Sequence, residues 1–413
     1  MSERTYVVAQ LGARMHYAVP RILEASGQLE RLYTDICAVR GWPRLLNLIP
    51  NSLRPTAVNR LLSRVPRGVH PRRITAFNDF GYEYAKRRNL VVRQGRFAVH
   101  LWAGEEFCRR VLEAGFGSAG GVFTFNTAGL EVLQRAKQTG LKAVTEQTIA
   151  PMSLELELLS DEAGRFPGWE ASTENEGASA YCKREVEEWK SADLILCGSE
   201  FVRDGIARCG GPLGKCVVVP YGVDFTNAKA ESGKRKANRS TFSPLRVLTV
   251  GSVGLRKGSP YVLEAARQLK GKAQFRMVGS IGVEHEAEIK LREHLELTGP
   301  VPRGELAGHF DWADVFLLPS LCEGSATVTY EALAYGLPVV CTANTGSVAR
   351  DGVEGFVVPI RDAAAIVDRL RQLLDDSELL GRMSANGAAR AKEFTVAKYG
   401  DRLTSTLRMS FPN

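Results

Sequence analysis

DVFLLPSLCEGSATVTYEALAYGLPVVCT, residues 314–342, decides the architecture. DVFLLPS reads as a hydrophobic strand, CEGSATVTYEA passes through small residues into a helix, and PVVCT reads as a second short strand. Strand and helix signals alternate in this way through almost the whole chain, which argues for parallel sheets covered by helices. The expected fold class is α/β, with two doubly wound parallel-sheet domains facing a central cleft. A ligand should sit at the carboxyl ends of the strands.

Working outward, LRVLTVG, AQFRMVGS and GFVVP are further strand signals of the second half. The first half offers YVVAQL followed by the loop GARMHY, then RLYTDI, RFAVHLW, GGVFTFN, LKAVTEQ, DLILCGS and KCVVVPYGVDF. A long polar, acid-rich stretch runs from LKAVTEQ to about Tyr181, and Ser199 and Gly210 bracket the helix EFVRDGIAR. Residues 228–244, AKAESGKRKANRSTFSP, are polar, basic and poor in apolar side chains, as a linker should be. The expected organisation is a first domain over 1–227, a linker over 228–244 and a second domain over 245–393. A terminal helix over 394–413 completes it.

The 413 residues suffice for two cores, and 24% charged with 44% hydrophobic residues is the balance of a globular protein. No apolar run approaches a membrane span, and the opening MSERTYVVAQL lacks a signal peptide's layout, so the expected location is the cytoplasm. Eight scattered cysteines without a CxxC pair read as reduced core thiols. A net charge of +8 points to an anionic partner. The excess is uneven: residues 40–73 carry eight arginines, no acid and seven interleaved leucines and isoleucines. Two readings fit that segment. One is peripheral contact with an anionic membrane at its inner face, and the other is a basic surface helix packing its leucines on the domain. Nucleic acid is not expected, because no binding motif accompanies the charge.

Glu323 and Glu331 flank the start of the predicted helix. Gly324, Ser325 and Ala326 open that helix, whose exposed N–H groups and dipole suit a phosphate. Helix rise would set the two carboxylates on the order of 10 Å apart, the reach from a ribose past a diphosphate to a sugar. Carboxylates accept well from sugar hydroxyls. The same spacing also fits a helix-capping Glu323 and an exposed Glu331. A second element, VGSVGLRKGSPYVLEA (250–265), places Arg256 and Lys257 in a turn built on Gly251, Gly254 and Gly258, with Ser259 and Pro260 as N-cap and first helical residue. It matches neither common glycine-rich phosphate motif. Adjacent cations could neutralise a diphosphate leaving group in place of a metal.

Together these pieces resemble the nucleotide-binding domain of retaining glycosyltransferases of family 4, the group 1 type with the GT-B fold. The E-x7-E motif at Glu323 and Glu331 runs into EALAYGLPVV; VPYGVD, LRKG, MVGS, TGPVPRGEL, PSLCEG and DGVEGFVVP also match. FTVAKYGDRL resembles the helix that crosses back to the first domain. The resemblance implies retaining, metal-independent and cofactor-free transfer of a sugar from a nucleotide-diphosphate donor. It gives Glu323 the sugar hydroxyls, Glu331 the ribose, and Arg256, Lys257 and the backbone of Gly324, Ser325, Ala326, Thr327 and Val328 the diphosphate. Gly254 belongs to the same donor site, and Gly279, Ser280 and the backbone near Val301 would line the base.

Two departures stand out. Where many relatives carry Gly-Arg-Leu, this chain has Ser252, and Arg256 is the replacement considered. Where many carry a histidine after a first-domain strand, this chain reads VTEQTIAP, with Glu146 or Gln147 as stand-ins. Gly12, Arg14 and His16 are further acceptor-side candidates, His16 being equally readable as structural, while His100 reads as a core residue. The acceptor expected is a lipid-linked or surface-glycan precursor. The alternatives are a soluble small-molecule acceptor, a nucleotide-sugar epimerase and a non-catalytic nucleotide-sugar-binding subunit.

Overall fold

A computed structural model describes residues 4–90, 95–171, 175–224 and 243–412. Of the segment expected as a linker, only 243 and 244 fall within the described residues.

Seven strands form the first sheet: β1 (Tyr6–Gln10), β2 (Leu29–Thr34), β3 (Ile74–Ala76), β4 (Gly121–Phe125), β5 (Lys142–Gln147), β6 (Leu194–Cys197) and β7 (Cys216–Val218). Six form the second: β8 (Leu245–Val250), β9 (Ala273–Val278), β10 (Glu296–Gly299), β11 (Val315–Leu318), β12 (Val339–Thr342) and β13 (Gly355–Val358). The spatial orders are β3-β2-β1-β4-β5-β6-β7 and β10-β9-β8-β11-β12-β13, with parallel pairing throughout. Strands such as β1, β4, β11 and β12 are buried along their whole length, which explains their unbroken apolar runs. Each order reverses once, between β1 and β4 and between β8 and β11. Loops leaving the carboxyl ends there diverge and open a crevice. This is the GT-B architecture.

The halves exchange parts. Helix Val396–Ser410, capped by the Thr395 hydroxyl, buries Tyr399, Leu403 and Leu407 in the core of the first domain beside Tyr6, Val8 and Leu23. Their spacing of four keeps them on one face. In the other direction, helix Met152–Arg165 leaves β5 and leans on the second domain. Glu162 accepts from Tyr261 Oη at 2.5 Å and from Arg361 Nε at 2.7 Å. Trp169 then enters the core of the second domain among Leu255, Val262 and Leu263.

The run FAVHLW is helical rather than extended, lying in helix Arg96–Ala114. Phe97, Ala103, Gly104, Phe107, Cys108 and Val111 bury one side of it at three- and four-residue intervals. His100 is half-buried at the crevice wall, not in the core, with its Nδ1 2.9 Å from Tyr84 Oη. The helix after Gly258 begins at Ser259, so Gly258 is its N-cap, and Ser259 Oγ instead accepts the Gly254 N–H at 2.8 Å. The helix bearing Glu331 begins at Thr327, leaving 324–326 in the preceding loop.

Residues 40–73 fold into short turns and one helix, Thr56–Leu62, none of whose residues is buried. Leu45, Leu48 and Leu53 are 65%, 80% and 71% exposed, so they do not pack on the domain. Trp42 joins them at the surface, its ring edge-on to Tyr82 with centroids 6.3 Å apart. Among the described residues no helix is long and apolar enough to cross a membrane.

Candidate functional site

The floor of the crevice is the turn after β8. Lys257 is 8% exposed, and its stem lies against Gly251, where any Cβ would meet the Lys257 Cε. Lys257 Nζ reaches Glu323 Oε1 at 2.6 Å, and Arg256 Nη1 reaches the same oxygen at 2.8 Å while also donating to Cys322 O. Burial pushes the Lys257 ammonium below its ordinary pKa, with Glu323 opposing that shift. Burial also works against the Arg256 charge, but Glu323 and Glu155 outweigh it and the pKa is raised. The turn is propped from the first domain: Glu170 Oε1 accepts the Leu255 N–H at 2.5 Å.

Gly324 lies where the two domains approach closely. Its carbonyl accepts from Ser199 Oγ at 2.5 Å, and a Cβ there would collide with Thr148 O and Ile149. Ser325 turns inward, bonding Tyr330 Oη at 2.7 Å and Gly346 O at 3.1 Å. The Ala326 N–H donates to Thr345 O at 3.1 Å, so this amide, expected to face phosphate, already has an acceptor. Thr327 and Val328 are half-buried at the helix start. Gly279, Ser280 and Val301 gather at the ends of β9 and β10. Ser280 Oγ lies 2.9 Å from Ser252 Oγ, and the Gly279 N–H donates to Gly299 O.

Across the crevice, Gln10 Nε2 donates to Gly12 O and Arg14 O, and the Gly12 N–H donates to Asp35 Oδ1 at 3.1 Å. Asp35 also holds Arg64 at 2.6 and 2.8 Å. Met15, His16 and Tyr17 follow with φ of 46°, 51° and 60°, three consecutive strained positions in one loop. His16 lies apart from Arg14: its Nε2 is 2.8 Å from Arg303 Nη1, and Arg303 Nη2 is 3.3 Å from Glu331. A smaller cavity of about 380 Å³ between the domains includes these three residues. Burial raises the Glu331 carboxyl, which Arg303 opposes, and lowers His16, which Arg303 lowers further.

Glu146 and Gln147 do not face the crevice. Alternation along β5 sends Glu146 one way, where Tyr221 Oη donates to it at 2.9 Å and Tyr399 Oη at 3.4 Å. Gln147 goes the other way, accepting from Trp189 Nε1 and donating to Glu185 at 2.7 Å. The crevice receives the next residues instead, Thr148 and Ile149. Asn126 Oδ1 accepts both the N–H and the hydroxyl of Thr148.

Two carboxyls one turn apart on helix Ala178–Ser191 brace these loops. Glu185 accepts the Met152 N–H, and Glu188 accepts those of Thr127 and Gly129 at 2.5 and 2.9 Å. Thr127 sits at φ 68° and needs such a brace. Burial lifts Glu185 to about 7 and Glu188 to about 8. An unfolded glutamate releases its proton near pH 4.5, so between there and about pH 8 the folded chain holds more protons, and stability falls as pH rises. Glu188→Gln is expected to flatten this fall. The check is the urea midpoint at about pH 5 and about pH 8.5; an undiminished pH slope in the variant would contradict it.

Residues 244–376 match the family model described as glycosyl transferases group 1. The second domain is a group 1 glycosyltransferase domain. The WcaL colanic acid biosynthesis glycosyltransferase described as putative in Salmonella typhimurium LT2 is 29% identical over 261 residues, 59% of this chain and 63% of that protein. Its Escherichia coli K12 counterpart is 31% identical over 209 residues, 46% of this chain and 50% of the relative. The chain thus spans about half to under two thirds of the length of these relatives. Anabaena HepE, solved in complex with UDP, superposes with a TM-score of 0.62 at 14% identity, covering 98% of this chain and 99% of its own. Sucrose-phosphate synthase from Thermosynechococcus elongatus gives 0.64 at 17% identity, covering 99% and 96%. At such identities the agreement concerns the GT-B fold.

Around this glycosyltransferase domain the structure adds residues that sequence reasoning passed over. Arg303, inside the quoted TGPVPRGEL, bridges Glu331 to His16. Glu155 is buried near the Arg256–Glu323 pair, its carboxyl raised by burial, and its Oε2 has no hydrogen-bond partner among the described residues. Glu170 had no local signal beyond the acidic character of its stretch.

Proposed function

We propose that the chain is a retaining glycosyltransferase, independent of metal, that moves a sugar from a nucleotide-diphosphate donor to a lipid-linked or surface-glycan precursor. The observation that carries this reading is the Arg256–Glu323–Lys257 cluster at the bottom of a crevice walled by both domains. A donor diphosphate would sit against the two cations. Negative charge grows on the leaving phosphate oxygen as its bond to the sugar breaks, so both cations stabilise the transition state more than the ground state. Glu323 would accept hydroxyls of the transferred sugar, and Glu331 those of the ribose. In support, WcaL and the Erwinia amylovora AmsK carry names that assign them to colanic acid and amylovoran biosynthesis. HepE was solved with UDP-glucose.

The test is a thermal-shift screen of UDP, GDP, ADP and their sugars, followed by turnover of the stabilising donor. One nucleotide family should raise the melting temperature selectively, and turnover should persist in excess chelator because fixed cations supply the positive charge. Loss of activity on chelation would refute the metal-free mechanism.

The membrane part of the proposal rests on the exposed Trp42, Leu45, Leu48 and Leu53 among eight arginines. Vesicles rich in phosphatidylglycerol should bind the protein at low salt and release it at high salt. Leu45→Glu with Leu48→Glu is expected to weaken that binding about tenfold or more. No binding at low salt would shift the reading to a soluble small-molecule acceptor.

A further inference from the structure

We propose that the acceptor carries a phosphoryl group, held by Arg14, Arg64 and Arg88 in the first-domain part of the crevice. The proposal rests on the glycosyltransferase reading of the same site and goes beyond it by naming the acceptor's chemistry. A cavity of about 580 Å³ reaches from Arg256 and Glu323 at one end to these three arginines at the other. That is room for more than one sugar, since ligand sites commonly span about 300–1,000 Å³.

The charges in this part of the cavity do not balance. Arg64 is matched by Asp35, which grips it through both oxygens. Arg14 and Arg88 are exposed to the cavity and make no side-chain hydrogen bond or ion pair among the described residues. His100 cannot offset these cations, since an imidazole carries no negative charge; burial and the nearby Arg88 and Arg96 lower its pKa. Glu146, bonded to Tyr221 and Tyr399, attracts Arg14 without pairing with it, so two cations lacking an ion-pair partner remain to match a phosphate's charge of about −1.5 to −2. A carboxylate would leave one cation unmatched, and a neutral glycan would leave both.

Helix Asn78–Leu90 links this cavity to the exposed apolar set. Gly81, Tyr84 and Arg88 face the cavity, whereas Tyr82 points outward against Trp42. A lipid-borne phosphate and a soluble one therefore both have access, and the experiment separates them.

Inorganic pyrophosphate is titrated calorimetrically into protein saturated with whichever of UDP, GDP and ADP stabilises it most, so that the donor diphosphate site is filled. The expected result is a second binding event, weakened about tenfold or more in each of Arg14→Ala and Arg88→Ala, while nucleotide affinity moves less than about twofold. Geranylgeranyl diphosphate binding tighter than pyrophosphate would assign a lipid-borne phosphate, and equal affinity a soluble one. The proposal is overturned if pyrophosphate does not bind, if both variants bind it like the wild type, or if glucuronate binds as tightly. Should no nucleotide stabilise the protein, the donor reading fails separately. Titration of the ligand-free protein, wild type against Arg88→Ala, then still decides the arginine site.

Discussion

Glu323→Ala is expected to lower kcat/KM for sugar transfer by about 10²-fold or more, while nucleoside diphosphate binds no more weakly than to the wild type. One oxygen of this carboxylate pairs with both Lys257 and Arg256, at 2.6 and 2.8 Å. Removing it leaves the buried Lys257 without its ion-pair partner and Arg256 with only the more distant Glu155, a change that costs about 3 kcal/mol or more in comparable buried pairs. The empty variant should therefore melt well below the wild type. A diphosphate supplies the missing negative charge, so nucleotide should restore much of the lost stability. Transfer is not restored, because the hydroxyl acceptor is gone. Melting curves with and without nucleotide, set beside turnover, separate the two effects. Unchanged turnover would take Glu323 out of the reaction.

Lys257→Ala carries the second large effect, a loss of about 2–4 kcal/mol in transition-state stabilisation. Its ammonium is fixed by a stem packed on Gly251 and by Glu323, in a place where little water competes. A charge so placed need not reorganise when the diphosphate departs. Arg256→Ala should act in the same direction; its side chain is 32% exposed against 10% for Lys257, so solvent softens its loss. The measurement is kcat/KM with the donor chosen by the nucleotide screen. If both variants kept activity within about tenfold, the leaving group would have to be held elsewhere.

The parts of the fold that could be read from sequence were those where burial leaves a local trace. β11 and β12 appeared as apolar runs because parallel strands covered on both faces carry almost no polar positions, while β8, β9 and β13 kept enough buried apolar residues to be read despite Arg246, Gln274 and Arg276. FAVHLW misled for the same reason: six apolar-looking residues show no period, and the helical spacing emerges only as far as Val111. At the site, the turn with Arg256 and Lys257 and the loop with Glu323 were legible, since glycines and charges sit next to each other in sequence. Glu146 and Gln147 were placed one or two residues too early; their strand ends just before the loop that enters the crevice. Arg303, Asp35 and Glu170 act through partners 28, 29 and 85 positions away, and nothing in their own neighbourhoods announces those pairings.

Because Trp169 completes the core of one lobe and Tyr399, Leu403 and Leu407 that of the other, neither lobe is whole when made alone. On the ribosome, residues 4–224 would have to wait, with an apolar seam uncovered, until the last helix emerged. Splitting the polypeptide in the basic stretch before β8 should yield fragments that aggregate separately and recover only when co-expressed, and heating the intact chain should produce a single calorimetric peak.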